Sequence, residues 1–244
     1  MTLYFLLPAY NEAENIPALL EKIGALAKTV PQACRVVLVD DGSSDQTAAV
    51  ARNAQPGLDV IIVQHPRNLG LAEALRSGLR KILSIAGKDD WVVTMDADNS
   101  HHPELVQDML SLCPPAVGAI ASRYLPGSAE VGLSPRRRLL SRACNMFLRA
   151  AFPIRGVTDY TSGYRMVSVP LIASLSEKTS GKFFEAQGFV ATSELLINLA
   201  RAGGVFREVP LVLRYDLKKG ESKMRALRTI FGYAGLLVRR GMSV

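Results

Sequence analysis

Two carboxylates one residue apart, Asp96 and Asp98, follow the apolar run Trp91–Met95. In an extended turn, acids at that spacing direct oxygens to one cation, and hard oxygen donors select Mg²⁺ or Mn²⁺, ions that also bridge phosphates. A solvated strand end or a helix cap explains the same pair. A second acidic turn, Asp40-Asp41-Gly42-Ser43, closes the run Arg35–Val39. A carboxylate there suits the hydrogen bonds of a ribose or base, with Gly42 letting the backbone pass close to a ligand, and a simple capped turn is the other reading. Pro8-Ala9-Tyr10-Asn11-Glu12 ends the first apolar run without a Gly-rich phosphate loop. The fingerprints G-x-G-x-x-G and G-x-x-x-x-G-K-[ST] are both missing, which argues against a dinucleotide enzyme and a P-loop NTPase. His65, His101 and His102 are too scattered for a metal cluster; the last two, ahead of Pro103, read as a helix start.

These turns need a scaffold, and the sequence around them alternates. Leu3–Leu7, Arg35–Val39, Asp59–Val63, Trp91–Met95 and Ala116–Ala121 are predicted strands, with helical patterns between them. Such alternation predicts an α/β fold with a mostly parallel central sheet flanked by helices. In such sheets the ligand crevice lies beyond the carboxyl ends of the strands, where every polar turn above falls. Leu19, Leu20, Ile23 and Leu26 recur at helical spacing after a start at Asn15 and Pro17. Ser43 with Gln46 three residues on predicts the cap of a second helix, and a third runs from about Leu71 to Ala86. Further on, Pro135 to Thr161 reads as helix then loop, Gly163 to Val169 as extended, Thr192 to Ala202 as helix, Val205 to Leu213 as a strand and Lys223 to Arg240 as helix.

The 244 residues, 48% apolar and 21% charged, suit one globular core. Net charge of +7 conceals an asymmetry: residues 1–122 carry 9 Lys+Arg against 14 Asp+Glu, and residues 123–244 carry 20 against 8. An acidic half suits a metal, and a basic half suits phosphates or an anionic membrane. Nucleic acid is a further reading of the basic half, but no zinc-finger, RNP or basic-zipper signature accompanies the charge, so no nucleic-acid partner is expected. The apolar N-terminus lacks a basic region and a cleavage site, so it reads as a buried strand rather than a signal peptide. No stretch reaches the ~20 apolar residues that span a bilayer. Three cysteines, Cys34, Cys113 and Cys144, lie too far apart for a disulfide framework, which fits a cytoplasmic location. The run Arg136-Arg137-Arg138 reads as solvated.

Together the segments Pro8-Ala9-Tyr10-Asn11-Glu12, Val39-Asp40-Asp41-Gly42-Ser43, Asn68-Leu69-Gly70, Met95-Asp96-Ala97-Asp98 and Ser162-Gly163-Tyr164-Arg165 resemble the motifs of family 2 glycosyltransferases, in particular the dolichyl-phosphate mannose synthases and their bacterial polyprenyl-phosphate relatives. The resemblance runs from Leu3 to about Arg225 and implies a GT-A-type nucleotide-binding fold in one domain, 1–244. It divides the chain into a nucleotide and metal half (1–122), an acceptor half (123–223) and a C-terminal amphipathic helix (224–240). By the same resemblance Pro8, Tyr10, Glu12, Asp40 and Asp41 hold the nucleoside, and Asp96 and Asp98 hold the metal-bound diphosphate, Asp98 being catalytic. Arg123 and Arg142 bind the acceptor phosphate, Asp159 orients groups near the sugar, and Lys223 contacts the nucleotide.

Ser100 stands where some members carry a metal-contacting Gln, and Leu217 where many carry an Arg, so Arg214 or Lys218 supplies that charge. Arg165 reads either as a site residue or as a structural partner of Asp159. The implied reaction is inverting transfer of a hexose from a nucleotide sugar, GDP-mannose or a UDP-hexose, to a polyprenyl phosphate, with Mg²⁺ or Mn²⁺. Two alternatives are a soluble glycosyltransferase acting on a sugar hydroxyl and an inert nucleotide- or membrane-binding module. Peripheral membrane association is expected, through a small membrane protein or through the C-terminal stripe Leu227, Ile230, Phe231, Ala234, Leu237 and Val238 with its flanking Arg225, Arg228, Arg239 and Arg240. Packing on the domain also explains that stripe.

Overall fold

The computed structural model describes residues 1–53, 55–219, 232, 233, 235 and 236. Strands β1 (Thr2–Ala9), β2 (Ala33–Asp40), β3 (Asp59–Gln64), β4 (Trp91–Thr94) and β5 (Gly118–Ser122) are predicted by their apolar runs and are present with slightly longer or shorter ends. A short strand β6 (Ala129–Val131) follows, then β7 (Arg165–Ser168), β8 (Phe206–Pro210) and β9 (Val212–Arg214). Seven of them form one sheet in the order β3-β2-β1-β4-β7-β5-β8, and β6 pairs with β9 in a separate ribbon. Every pairing in the large sheet is parallel except those of β7, which runs antiparallel to both β4 and β5.

The sheet is covered on both faces, which is why its inner strands read as unbroken apolar runs rather than as alternations. Along β1 the side chains still alternate. Leu3, Phe5 and Leu7 join Ile16, Leu19, Leu20 and Ile23 of helix α1 (Ile16–Leu26). Tyr4 and Leu6 join the opposite core with Leu75, Leu79 and Ile82 of α3 (Leu71–Leu83), the helix after the short α2 (Thr47–Asn53). The first face also takes Val106 and Met109 of α4 (Val106–Ser111). The second also takes Leu148 of α5 (Pro135–Ala151), Leu171, Ile172 and Leu175 of α6 (Val169–Lys178), and much of α7 (Val190–Arg201). Each fully buried Leu, Ile or Phe contributes ~1.5–3 kcal/mol.

From β1 the chain winds outward through β2 and β3, then returns to place β4 on the other side of β1. This reversal opens a crevice beyond the carboxyl ends of β1 and β4.

Several local expectations change. Helix α2 begins at Thr47 and is capped by Asp45, whose Oδ1 accepts the Thr47 N–H at 3.0 Å. Ser43, the expected cap, instead accepts the Asn11 N–H at 2.9 Å. Asn15 stands at the start of α1 but its side chain makes no cap; its amide donates to Glu12 Oε2 (2.7 Å) and to the Lys219 carbonyl (3.1 Å). The expected strand Val205–Leu213 divides, because Pro210 has no N–H to extend the ladder. The chain then leaves β5 for the small ribbon, Leu211 N–H donating to Ser122 O at 2.8 Å on the way.

All three cysteines are free and partly buried, and burial pushes the Cys34 and Cys113 thiols up to about 11. Among the described residues no helix is long and apolar enough to cross a membrane. Lys223 and the apolar stripe expected between Leu227 and Val238 lie outside the described residues. Nearby, Tyr233 and Leu236 are buried in the core, and the Tyr233 hydroxyl lies 3.2 Å from Ser193 Oγ.

Candidate active site

The crevice is built from loops with little freedom. After β1, Asn11 adopts a left-handed conformation (φ 52°), and its Oδ1 accepts the Ser44 N–H at 2.8 Å. This ties the Pro8–Glu12 loop to the turn after β2. Pro8 and Tyr10 are half-buried at the crevice, and Glu12 is buried with its backbone N–H on Thr47 Oγ1 at 2.9 Å.

The two acids of the second turn part company. Asp40 caps its own turn through Ser43 N–H (3.0 Å) and receives Gln64 Nε2 at 3.2 Å. Asp41, expected beside it at the nucleoside, is taken up by the loop after β3. Its carboxylate accepts Leu69 N–H (2.9 Å) and Gly70 N–H (2.8 Å) and meets His65 Nδ1 at 2.7 Å, with His65 Nε2 in turn 2.9 Å from Ser77 Oγ. Those partners take up most of the carboxylate's lone pairs and hold Asp41 in the loop. Gly42 follows suit: at φ +69° it lies so close to the 67–68 backbone that a Cβ would come 2.2 Å from the Arg67 carbonyl carbon. The close approach expected for a ligand is made by the protein itself.

Past β4, the turn expected to hold a cation brings Asp96, Asp98, Ser100 and His101 together. Asp98 is buried; Ser100 donates to its Oδ1 through both N–H (3.1 Å) and hydroxyl, and Lys218 Nζ donates to its Oδ2 at 2.8 Å. Burial raises the Asp98 pKa, but Lys218, His101 and these hydrogen bonds outweigh it and bring it below the ordinary carboxylate range. Asp96 differs. Burial, with the nearby charges of Asp98 and Glu12, holds it above that range against the opposing pull of His101 and Lys218. Among the described residues no side chain donates to its carboxylate. Gly163 leaves the space beside it open: a Cβ there would sit 3.4 Å from Asp96 Oδ1.

A desolvated carboxylate without a donor, next to a second oriented one, fits a hard divalent cation that completes its shell with water or phosphate oxygens. Among the described residues no third His, Cys, Asp or Glu joins them as a metal cluster. Ser100, through its two hydrogen bonds, orients the Asp98 carboxylate. His101, read from sequence only as part of a helix start, accepts the Asp96 N–H at 3.3 Å and packs 5.1 Å from the Tyr164 ring.

Of the two cations near Leu217, Lys218 is the one that reaches Asp98. Arg214 is paired with its neighbour Asp216 (2.7 Å) on the surface. Lys218 is held over Asp98 because Lys219 is pinned to Asn15 through two hydrogen bonds, Asn15 Nδ2 to Lys219 O and Lys219 N–H to Asn15 Oδ1 (3.0 Å). The segment that follows the 3₁₀ turn Tyr215–Leu217 is thus tied to the start of α1.

In the half expected to take the acceptor, Arg123 and Asp159 form a two-pronged ion pair, Nε to Oδ2 and Nη2 to Oδ1, both 2.8 Å. Asp159 is fully buried and also accepts N–H groups of Arg123 (3.1 Å), Thr161 (3.1 Å) and Ser162 (3.0 Å). Burial opposes its charge, but Arg123 and these donors prevail and hold it below the usual carboxylate range. Arg123 donates further to Ser141 Oγ (3.1 Å) on α5. The guanidinium expected on an acceptor phosphate is therefore largely engaged by the protein, whereas Arg142, one residue along α5, is exposed.

Arg165 does not pair directly with Asp159. It donates to the carbonyls of Tyr160 (2.8 Å) and Thr192, and burial pushes it down to about 10. Two arginines expected to be solvated are engaged: Arg137 donates to Tyr215 Oη (2.8 Å) and Arg138 to Glu130 O (2.7 Å).

Residues 4–175 match the model of "Glycosyl transferase family 2". The chain belongs to that family. This glycosyltransferase is 30% identical over 225 residues, 92% of its length and 88% of the relative's, to the undecaprenyl-phosphate mannosyltransferase of Micrococcus luteus. It is 31% identical over 90% of its length, and 79% of the relative's, to the polyprenol monophosphomannose synthase of Mycolicibacterium smegmatis. In fold it is similar to glucosyl-3-phosphoglycerate synthase from Mycobacterium tuberculosis, solved with Mn²⁺, uridine diphosphate and phosphoglyceric acid. That similarity has a TM-score of 0.67 at 22% identity and covers 99% of this chain and 78% of the other. The GT-A-type fold and the glycosyltransferase activity expected from the motifs are both borne out.

Proposed function

We propose that this glycosyltransferase moves a hexose, mannose or glucose, from a nucleotide sugar to the phosphate of a polyprenyl phosphate, with inversion at the sugar. The observation that carries this reading is the state of Asp159. A hydroxyl acceptor must lose a proton during attack, and Asp159, the carboxylate nearest Arg123, is buried, saturated with donors and held at low pKa. Of the other acids near it, Glu208 accepts Thr158 and Asp159 N–H groups (2.7 and 2.8 Å), and Glu130 lies at ion-pair distance from Arg123 (4.0 Å) and Arg138 (3.9 Å). A phosphate acceptor needs no base, because its second pKa of ~6 leaves an oxyanion at neutral pH. The relatives named for lipid-phosphate acceptors agree with this.

In the reaction, an oxygen of the lipid phosphate bonds to the anomeric carbon as the bond from that carbon to the nucleoside diphosphate breaks. Pro8, Tyr10, Glu12 and Asp40 hold the nucleoside, and Asp96 and Asp98 would hold Mg²⁺ or Mn²⁺, which when bound would supply positive charge toward the departing diphosphate. Lys218, already over Asp98, adds a second charge there. Exposed Arg142 meets the acceptor phosphate, and Arg123, fixed by Asp159, shapes that end of the site. Residues 1–122, joined by Lys218, thus serve the donor, and the rest of 123–223 serves the acceptor, at a membrane surface.

The test supplies GDP-mannose and UDP-glucose in turn, with Mg²⁺ or Mn²⁺, to a short polyprenyl phosphate, the corresponding polyprenol and an oligosaccharide. Glycosylation of the phosphate alone is expected. Transfer to the oligosaccharide in preference to the phosphate refutes the reading.

A further inference from the structure

Helix α5 carries two different faces. On the inner one, Ser141 meets Arg123, Asn145 Nδ2 donates to Thr158 O (2.6 Å) while its Oδ1 accepts Tyr160 N–H (2.7 Å), and Leu148 is fully buried. These residues are four and three apart and define one side of the helix. On the opposite side Leu139 is 71% exposed, Met146 72% and Phe147 48%, with Ala143 and Ala150 also exposed between them. At 3.6 residues per turn these five span an arc of about 100°. Arg142 and Arg149, both exposed, run along one flank of that arc.

The charge of this region has one sign. From Val131 to Thr158 the sequence contains six arginines and no Asp or Glu. A soluble surface seldom leaves large apolar side chains this open in a row, and a basic border marks the partner as anionic. The inner face of the same helix supports the acceptor side of the site, so whatever covers the outer face lies against that side.

We propose that α5 is the membrane-docking element of this protein: its Leu139, Met146 and Phe147 face enters the headgroup region of an anionic bilayer, with Arg149 on a lipid phosphate and Arg142 left to the acceptor phosphate. This placement rests on the polyprenyl phosphate reading, since it brings the acceptor phosphate, whose chain stays in the bilayer, to the end of the site that Arg123 and Asp159 shape.

The experiment reads vesicle binding without donor or acceptor. The full chain and its Leu139→Gln/Met146→Gln variant are sedimented with phosphatidylcholine vesicles containing or lacking phosphatidylglycerol. The wild type is expected to bind the anionic vesicles, and the variant to bind at least about tenfold less, while its circular dichroism and its transfer to a water-soluble short-chain polyprenyl phosphate stay unchanged. In a second measurement, brominated lipid should quench a tryptophan introduced by Met146→Trp and spare Trp91, the sole native tryptophan, which lies in the sheet. Equal binding by wild type and double variant, or no quenching at position 146, overturns the proposal. So does self-association of the wild type that the double variant abolishes, in the absence of vesicle binding; the face then belongs to a second copy. If the wild type docks through α5 but glycosylates no polyprenyl phosphate, the reaction assignment falls and the surface stands.

Discussion

Replacing Asp159 by Ala probes a buried charge that several donors satisfy at once. In the folded protein its two oxygens take up the Nε, Nη2 and backbone N–H of Arg123 and the N–H groups of Thr161 and Ser162. The substitution strands a guanidinium that is only 11% exposed and leaves those backbone donors short of a partner. Removing one member of a buried pair costs about 3–5 kcal/mol, and stranded N–H groups add to it less than additively. We expect a loss of ~4 kcal/mol, a large part of the ~5–15 kcal/mol that holds a domain together. At ~2–4 °C per kcal/mol for a chain of this size, Tm falls by ~8–16 °C.

Urea and thermal unfolding followed by circular dichroism measure this. An Arg123→Met/Asp159→Leu double variant should recover much of the loss, because neither charge is then left alone. Acid supplies an independent check. Asp159 has a depressed folded-state pKa, so its stabilisation is complete above its unfolded value of about 3.9 and disappears as pH falls through the lower folded value. Asp159→Asn should therefore flatten the stability profile below about pH 4. An Asp159→Ala protein within ~1 kcal/mol of wild type, or an unchanged acid profile in Asp159→Asn, would refute the reasoning.

The other expectations concern the crevice. Asp98→Asn should cut transfer by ~10²-fold or more while leaving the fold intact, as measured by product formation at saturating donor; a near wild-type rate contradicts the role given to Asp98. Lys218→Met frees Asp98 Oδ2 from its ion pair and should tighten Mn²⁺ binding in the absence of nucleotide by about tenfold, read from the free-Mn²⁺ spin resonance signal. Weaker or unchanged Mn²⁺ binding would show that Lys218 and a cation do not compete for that oxygen. Gly42→Ala adds a side chain at positive φ and 2.2 Å from backbone, so a stability loss of ~2 kcal/mol or more is expected on urea unfolding; a neutral substitution means the 67–68 segment yields.

What the sequence determined is local. Continuous apolar runs announced β1, β2 and β4 because strands buried on both faces need no polar side, and each run ended in the polar turn that the fold places at the crevice. Asp96 and Asp98 were legible because their spacing and the strand before them are contiguous. The family was legible because its motifs sit in those same turns. Tertiary structure decided what distant segments do to one another. The antiparallel entry of β7 between β4 and β5 has no local signal, since it depends on which edges remain unpaired. The pairing of the Arg123 fork with Asp159, 36 residues on, has no local signal. Asp41 looks like the twin of Asp40 until the 65–70 loop claims its oxygens. Lys218 lies 120 residues from Asp98, and Lys219 lies 204 from Asn15. The outward face of α5 belongs to this second class. Helical periodicity shows that its apolar residues share a side, but only the packing of the core decides which side is left uncovered.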